Sequence, residues 1–350
     1  MFSTYRPEDV TILLKDITGL VEPLGTAERE KRIQGGCHYS EMLPLEYEPS
    51  EAYLAAYQDA LNRFAGKTAE AVMRAAQRIW ECKGEKVALV SLARAGTSIG
   101  VLLKHWLDKT YGVTVPHYTI SIIRGRGIDR NALNHILSRH EGKYLQFVDG
   151  WTGKGAIQRE LMKALEDCPE VDGKLAVLSD PAGVAGIRGT EEDILVASSC
   201  LNATVSGLLS RTFLRSDIIG PRDFHGAMFY RNLMEKDLTY SFLQAIERHF
   251  TKRVSREEPR TLSHGRGLAE AEEIARHFGV RDINLVKPGI GETTRVLLRR
   301  LPWKVLVRSK TDPEYLGHIY QLAKEKGVDV VEYPLQNYRA CGIIRAIADQ

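Results

Sequence analysis

A chain of 350 residues has room for two or three domains and a sizeable core. Its 43% hydrophobic and 27% charged content places it among soluble globular proteins, and a net charge of +3 is too small to argue by itself for nucleic acid. Cys37, Cys82, Cys168, Cys200 and Cys341 are scattered with no CxxC pair, which predicts reduced thiols and no zinc site. Arg6, Glu8, Asp9, Lys15 and Asp16 rule out a signal peptide at the start, and no apolar run reaches a membrane span, so a cytoplasmic protein is expected.

In chain order, Ile33 to Met42 sets Gly35-Gly36 beside Cys37-His38 and Tyr39-Ser40. Cys37 reads either as a nucleophile or as part of a turn packed on the core, and adjacent residues seldom point together, so His38 is a poor base for it. Ser50 caps a helix expected over Glu51 to Phe64, and a second helix is expected from about Thr68 to Cys82. Val87 to Leu92 is a buried strand that enters Ala93-Arg94-Ala95-Gly96-Thr97-Ser98 and then a helix. Free amides at a helix start, an arginine and two hydroxyls make an anion-binding turn. Val115 to Ile123 predicts a third strand, running into Arg124-Gly125-Arg126-Gly127, a cationic loop able to close over a charged ligand. A helix is expected over Asn131 to His140.

Tyr144 to Val148 is a short apolar strand ending at Asp149, followed by Gly150, Trp151, Thr152, Gly153, Lys154, Gly155 and a helix over Ala156 to Leu165. Glycines, a hydroxyl and an ammonium at a strand-to-helix turn suit a phosphate. A Walker P-loop is excluded, because Val148 stands at its first glycine and Gly155 at its Ser/Thr. Leu175 to Ser179 leads to Asp180-Pro181-Ala182-Gly183, and Asp193 to Ser198 reads as another strand, followed by Asn202 and a helix over Val205 to Phe213. These elements predict an α/β fold with a parallel, doubly wound sheet whose ligand turns share the carboxyl ends of the strands.

Asp223 to Phe250 carries two aromatic-rich helical pieces, read as a cap or oligomer surface. Lys252 to Gly267 lacks apolar periodicity and is expected as a linker. A compact α/β unit follows, with strands at Ile283 to Val286, Trp303 to Val307 and Val328 to Tyr333, and helices at Glu292 to Leu301 and Pro313 to Lys326. Between Lys287 and Lys310 stand seven Lys or Arg against one acid, Glu292, a stripe suited to phosphate-backbone contact. The expected division is 1–250, a transition at 251–281, and 282–350.

The carboxylate-then-Thr-Gly turn at Asp149 to Gly155 resembles the phosphoribosyl-pyrophosphate (PRPP) loop of type I phosphoribosyltransferases, with Gly150 in place of their second acid, and Arg94-Ala95-Gly96 resembles their pyrophosphate loop. Gly289-Ile290-Gly291-Glu292-Thr293-Thr294-Arg295 resembles the signature of the L7Ae/Pelota RNA-binding domains, Gly291 standing where that signature has asparagine. Through F-V-D-G-W-T-G-K-G, I-I-R-G-R-G-I-D and S-D-P-A-G, the whole chain resembles the phosphoribosyltransferase family of tellurite-resistance (Ter) stress operons, some members of which carry the label cysteine protease StiP.

That resemblance implies a type I phosphoribosyltransferase-like domain with a small C-terminal Pelota/L7Ae-like domain, transferring ribose phosphate from PRPP to an unidentified base-like acceptor. It implies Mg²⁺, held by Asp149 indirectly through PRPP. Asp149 would hold the ribose, and Gly150, Trp151, Thr152, Gly153, Lys154 and Gly155 the phosphate. Arg94, Ala95, Gly96, Thr97 and Ser98 would hold diphosphate, with Arg124 and Arg126 closing over it, and Asp180 and Asn202 would touch the base. Lys287, Gly289, Glu292, Thr294 and Arg295 would contact RNA, and a homo-oligomer is compatible. The alternatives are a nucleotide-sensing RNA-binding regulator without turnover, and a thiol hydrolase or cysteine protease using Cys37.

Overall fold

The computed structural model describes residues 2–254 and 265–346. Its larger unit is built on six strands: Thr11–Ile12 (β1), Ala88–Leu92 (β2), His117–Ile120 (β3), Leu145–Val148 (β4), Leu175–Ser179 (β5) and Ile187–Thr190 (β6). Their order across the sheet is β1-β3-β2-β4-β5-β6, and every pairing is parallel. β2, β3, β4 and β5 are buried at every residue, as expected of parallel strands covered on both faces.

Alternate residues serve opposite faces. Leu89, Val148, Ala176 and Leu178 pack in one cluster with the helices Glu51–Lys83 (α2), Ala95–Tyr111 (α3) and Thr239–Glu247 (α6). Val90, Leu92, Phe147 and Val177 pack in the other, with Arg130–Leu137 (α4) and Ala156–Ala164 (α5). Thr26–Gln34 (α1) precedes the loop that holds Cys37.

The two helices expected over Glu51 to Cys82 are one helix of 33 residues. Tyr57, Leu61, Phe64, Thr68, Val72, Ala75 and Ile79 keep helical spacing across Gly66, and all are buried. A glycine inside a helix costs about 1 kcal/mol, less than burying a single one of the larger side chains contributes. Asp193 to Ser198 forms no strand. The sixth strand lies earlier at Ile187–Thr190, and the segment ends in a short 3-10 turn at Ala197–Cys200. The helix expected over Val205 to Phe213 is likewise absent, since the chain there makes only a 3-10 turn at Ala203–Val205 and pairs loosely with Gly226 and Phe229. Both stretches are buried almost throughout, Ser206, Ser210 and Thr212 included, so no polar face sets a period by which the sequence could assign them.

The smaller unit contains Arg266–His277 (α7), Val286–Pro288 (β7), Ile290–Arg299 (α8), Pro302–Val307 (β8), Pro313–Glu325 (α9), Asp329–Glu332 (β9) and Ala340–Ile344 (β10). The sheet order is β7-β10-β8-β9, with β10 antiparallel to both neighbours and β8 parallel to β9. The sequence reading contained no β10, although this strand is central. Of the stretch expected as linker and transition, 255–264 lie outside the described residues, while α7 packs Ala271 and Ile274 against Val286, Leu306 and Ile343. No helix among the described residues is long and apolar enough to cross a membrane.

The units share a continuous apolar core, with Ile290, Leu297, Leu316 and Ile319 in the same cluster as α2. A buried carboxylate adds direction to that contact. Asp193 accepts the Ile290 N–H, the first amide of α8, at 3.0 Å and the Arg339 N–H at 2.9 Å.

Candidate functional site

The connections after β2 and β4 run to opposite sides of the sheet, which opens a crevice between the turns at Arg94 and Asp149. α8 of the smaller unit covers the crevice and converts it into a cleft of two adjoining lobes, about 700 and 1020 Å³. Basic residues, among them Arg94, Arg124, Lys154, Arg211, Lys287, Arg295 and Arg299, outnumber the acids Glu46, Glu48, Asp149, Asp282 and Glu292 along it.

Most of the groups expected to hold a phosphate already have protein partners. Thr97 Oγ1 lies 2.6 Å from Thr119 Oγ1, and Ser98 Oγ lies 2.6 Å from the Tyr5 hydroxyl and donates to the Val205 carbonyl. Thr152 Oγ1 donates to Asp180. The Gly153 carbonyl accepts the Tyr338 hydroxyl at 2.6 Å, and the Lys154 ammonium donates to the Ile283 and Val286 carbonyls of the smaller unit. Burial, then the neighbouring Lys287, pushes that ammonium down to about 8. The glycine-rich turn is therefore a seat for the C-terminal unit. Gly155 starts α5 in the left-handed region, and Trp151 lies beneath the Arg295 guanidinium, 4.6 Å from the ring centre.

Asp149 lies at the meeting of both lobes. Burial pushes its carboxyl up to about 6, against the pull of the Gly150 N–H at 2.8 Å and of Arg295. Ala95 lines the cleft, and Gly96 brings α3 onto the β4 turn: a Cβ there would stand 2.5 Å from the Val148 carbonyl oxygen. Arg94 donates to the Leu209 carbonyl at 2.7 Å.

The arginine loop expected to close is the turn of a small hairpin, Ile122–Ile123 against Gly127–Ile128. Glu160 accepts the Gly125 and Gly127 amides, and Tyr39 accepts the Arg124 amide. Arg124 reaches the cleft, 3.4 Å from Asn284, whereas Arg126 turns away to Glu41 and the Leu214 carbonyl. Asp180 is fully buried and accepts the Val184 and Ala185 amides, so it braces the turn instead of facing a ligand. Asn202 does line the cleft, where it accepts from Arg299.

Of the Pelota-like positions, Lys287, Glu292 and Arg295 face the cleft, the last two 3.2 Å apart. Gly289 has φ +101° and abuts Asp193, and Thr294 is buried, bonded to the Ile290 carbonyl and to His318. Sequence reading missed Arg211 and Asp193, and counted Arg299 only as one of the seven basic residues between Lys287 and Lys310. Arg211 lay within the expected helix and Asp193 within the expected strand, so neither carried a signal.

Cys37 follows α1 on an exposed loop between Ile33 and Tyr39, both of which line the cleft. His38 Nδ1 lies 2.8 Å from Ser40 Oγ and Nε2 lies 3.2 Å from the Arg124 carbonyl oxygen. Burial and then Arg126 lower its pKa, so the imidazole is neutral at pH 7.

Residues 3–247 match the family described as tellurite-like stress resistance cysteine protease StiP. The chain belongs to the StiP family. A relative from Acinetobacter baylyi (strain ATCC 33305 / BD413 / ADP1), named cysteine protease StiP, is 36% identical over 98% of this chain and 94% of its own length. Residues 265–346 match the PELOTA RNA binding domain. Two solved structures are similar in part. Helicobacter pylori xanthine-guanine-hypoxanthine phosphoribosyltransferase is 17% identical, covering 31% of this chain and 68% of that one, with a TM-score of 0.23. A hypothetical protein from Neisseria gonorrhoeae with bound ppGpp is 13% identical, covering 33% and 65%, with a TM-score of 0.24.

These matches correct the expected activity. The family and its 36% identical member are named for a cysteine protease, not for a glycosyltransferase, so the PRPP-dependent transferase reading and its magnesium chemistry are not retained. The likeness to the phosphoribosyltransferase is too slight to restore them. Lys154, central to that reading, is engaged by the C-terminal unit. Among the described residues no group of three or more His, Cys, Asp or Glu stands together to hold a metal.

Proposed function

We propose that this StiP-family chain is a cysteine-dependent hydrolase of the protease class, with Cys37 as its nucleophile and a C-terminal unit that contacts RNA. One observation carries the choice of thiol. Cys37 alone among the five is both exposed and placed on the rim of the cleft. Cys82, at the end of α2, and Cys168, just ahead of β5, lie toward the amino ends of the strands, opposite the cleft. Cys200 and Cys341 are buried, and burial pushes both thiols up to about 12.

The thiolate, not the thiol, attacks a carbonyl carbon, and positive surroundings favour it. The attack forms an acyl thioester, the departing amine takes up a proton, and water then releases the acid and restores the thiol. RNA contact is supported by the match over 265–346.

The test is hydrolysis of fluorescently labelled casein by purified protein, with alkylation by iodoacetamide mapped by mass spectrometry. Cys37→Ala abolishes hydrolysis while leaving the melting midpoint in place, and loss of hydrolysis tracks alkylation of Cys37, not of the other exposed thiol, Cys82. Hydrolysis at the wild-type rate in Cys37→Ala removes the reading.

A further inference from the structure

The charged side chains of the RNA-domain turn do not point to the outside of the molecule. Lys287, Glu292 and Arg295 face the larger unit across the cleft, and an RNA that touches them must enter between the units. The opposite wall carries Arg94 and Arg211, neither of which has a place in hydrolysis.

We propose that a single RNA strand runs through this cleft, its phosphates gripped from both sides by Arg94 and Arg211 of the larger unit and Arg295 and Arg299 of α8. The inference rests on RNA contact by the C-terminal unit and extends the contact surface to the StiP unit.

Two kinds of observation support it. The first is electrostatic. Arg211 and Arg299 are both half-buried, and burial followed by neighbouring arginines pushes each down to about 10. Arg94 acts on both of them, Arg29 on the first and Arg295 on the second. Guanidiniums held against one another at a partly dry wall raise the free energy of the empty cleft, and a chain of phosphates relieves that repulsion. The second is stacking geometry. Arg211 lies over the Tyr39 ring at 4.9 Å within the larger unit, and Arg295 of α8 lies over Trp151 of the larger unit at 4.6 Å, joining the two walls of the cleft. Arginine planes alternating with aromatic rings are the surfaces on which unpaired bases stack, without regard to sequence. The two lobes, about 700 and 1020 Å³, share Asp149, Arg211, Arg295 and Arg299 and form one continuous path.

A free phosphate compound would satisfy the same charges, so the experiment separates the two. Anisotropy of a fluorescein-labelled single-stranded RNA of about twelve nucleotides is measured against full-length protein over a salt series, with inorganic diphosphate titrated by calorimetry in parallel. Wild-type protein binds the RNA. Arg211→Gln and Arg94→Gln each weaken binding roughly tenfold and reduce the slope of log affinity against log salt by about 0.7. Because Arg211 stands among like charges, Arg211→Gln keeps the wild-type melting midpoint, and Arg299→Gln gives the same reading from the other wall.

Wild-type RNA affinity in both Arg94→Gln and Arg211→Gln, with loss instead in Lys304→Gln on β8, overturns the cleft path but leaves RNA contact by the smaller unit standing. Diphosphate binding without RNA binding overturns both.

Discussion

Asp193 offers the sharpest check on how the two units are joined. Its carboxylate accepts the Ile290 N–H at 3.0 and 3.1 Å and the Arg339 N–H at 2.9 Å, and the residue is 5% exposed. Asp193→Ala leaves two amides without their charged acceptor, a loss of about 1.5–3 kcal/mol each. The charge is itself unfavourable where it sits: burial pushes the carboxyl up to about 6 against the pull of the Arg339 and Ile290 amides. Raised from 3.8 to about 6, it disfavours the folded state by about 3 kcal/mol when ionised, which offsets part of the loss. The net cost of Asp193→Ala at pH 7.5 is then on the order of 2 kcal/mol.

The pH dependence has a definite sign. Between 3.8 and about 6 the folded protein holds a proton on Asp193 that the unfolded chain releases, so this group's contribution to stability rises as pH falls through 6. Asp193→Ala lacks that gain. Its deficit at pH 5 exceeds the deficit at pH 7.5 by about 1.4 kcal/mol. Native-state hydrogen exchange of the α8 amides, with urea unfolding at both pH values, measures the two quantities. A deficit below about 0.5 kcal/mol at both pH values, with α8 protection unchanged, would refute the carboxylate's role as the strut between units.

Two further outcomes are expected. His105 lies 2.7 Å from Asp9 and 2.6 Å from Glu247; burial lowers its pKa, but these two hydrogen bonds outweigh burial and raise it to about 9. Its stabilisation, about 2 kcal/mol after solvent screening, is complete below pH 6.5 and is lost as pH rises through about 9. Melting midpoints taken from pH 6.5 to 9.5 therefore fall further in wild type than in His105→Gln, and parallel curves would discard the explanation. Gly96→Ala drives a methyl to 2.5 Å from the Val148 carbonyl oxygen, parting α3 from the β4 turn. It costs about 1–3 kcal/mol in urea unfolding and weakens cleft binding, and a neutral substitution would contradict that close approach.

Much of the fold was legible because burial leaves a period. β2, β4 and β5 were visible as apolar runs bounded by turn residues, and β5 falls at Leu175–Ser179 as read. Where the period fails, so did the reading: the segment at 193–198 is buried without pairing, and the 205–213 stretch is held by loop contacts. The two-residue edge strand β1 is too short to carry any pattern, and β10 takes its identity from lying between β7 and β8.

The sequence by itself determined the parallel sheet, the small α/β unit behind it, and the crowding of glycines and arginines at strand ends, since these follow from local spacing and residue chemistry. Tertiary structure alone decided what those groups meet. Lys154 and Gly153 hold a neighbouring unit, Arg126 pairs with Glu41, and Arg211 and Arg299 come together from positions far apart in the chain. A side chain's partners are set by long-range packing, and no spacing along a strand or helix records them.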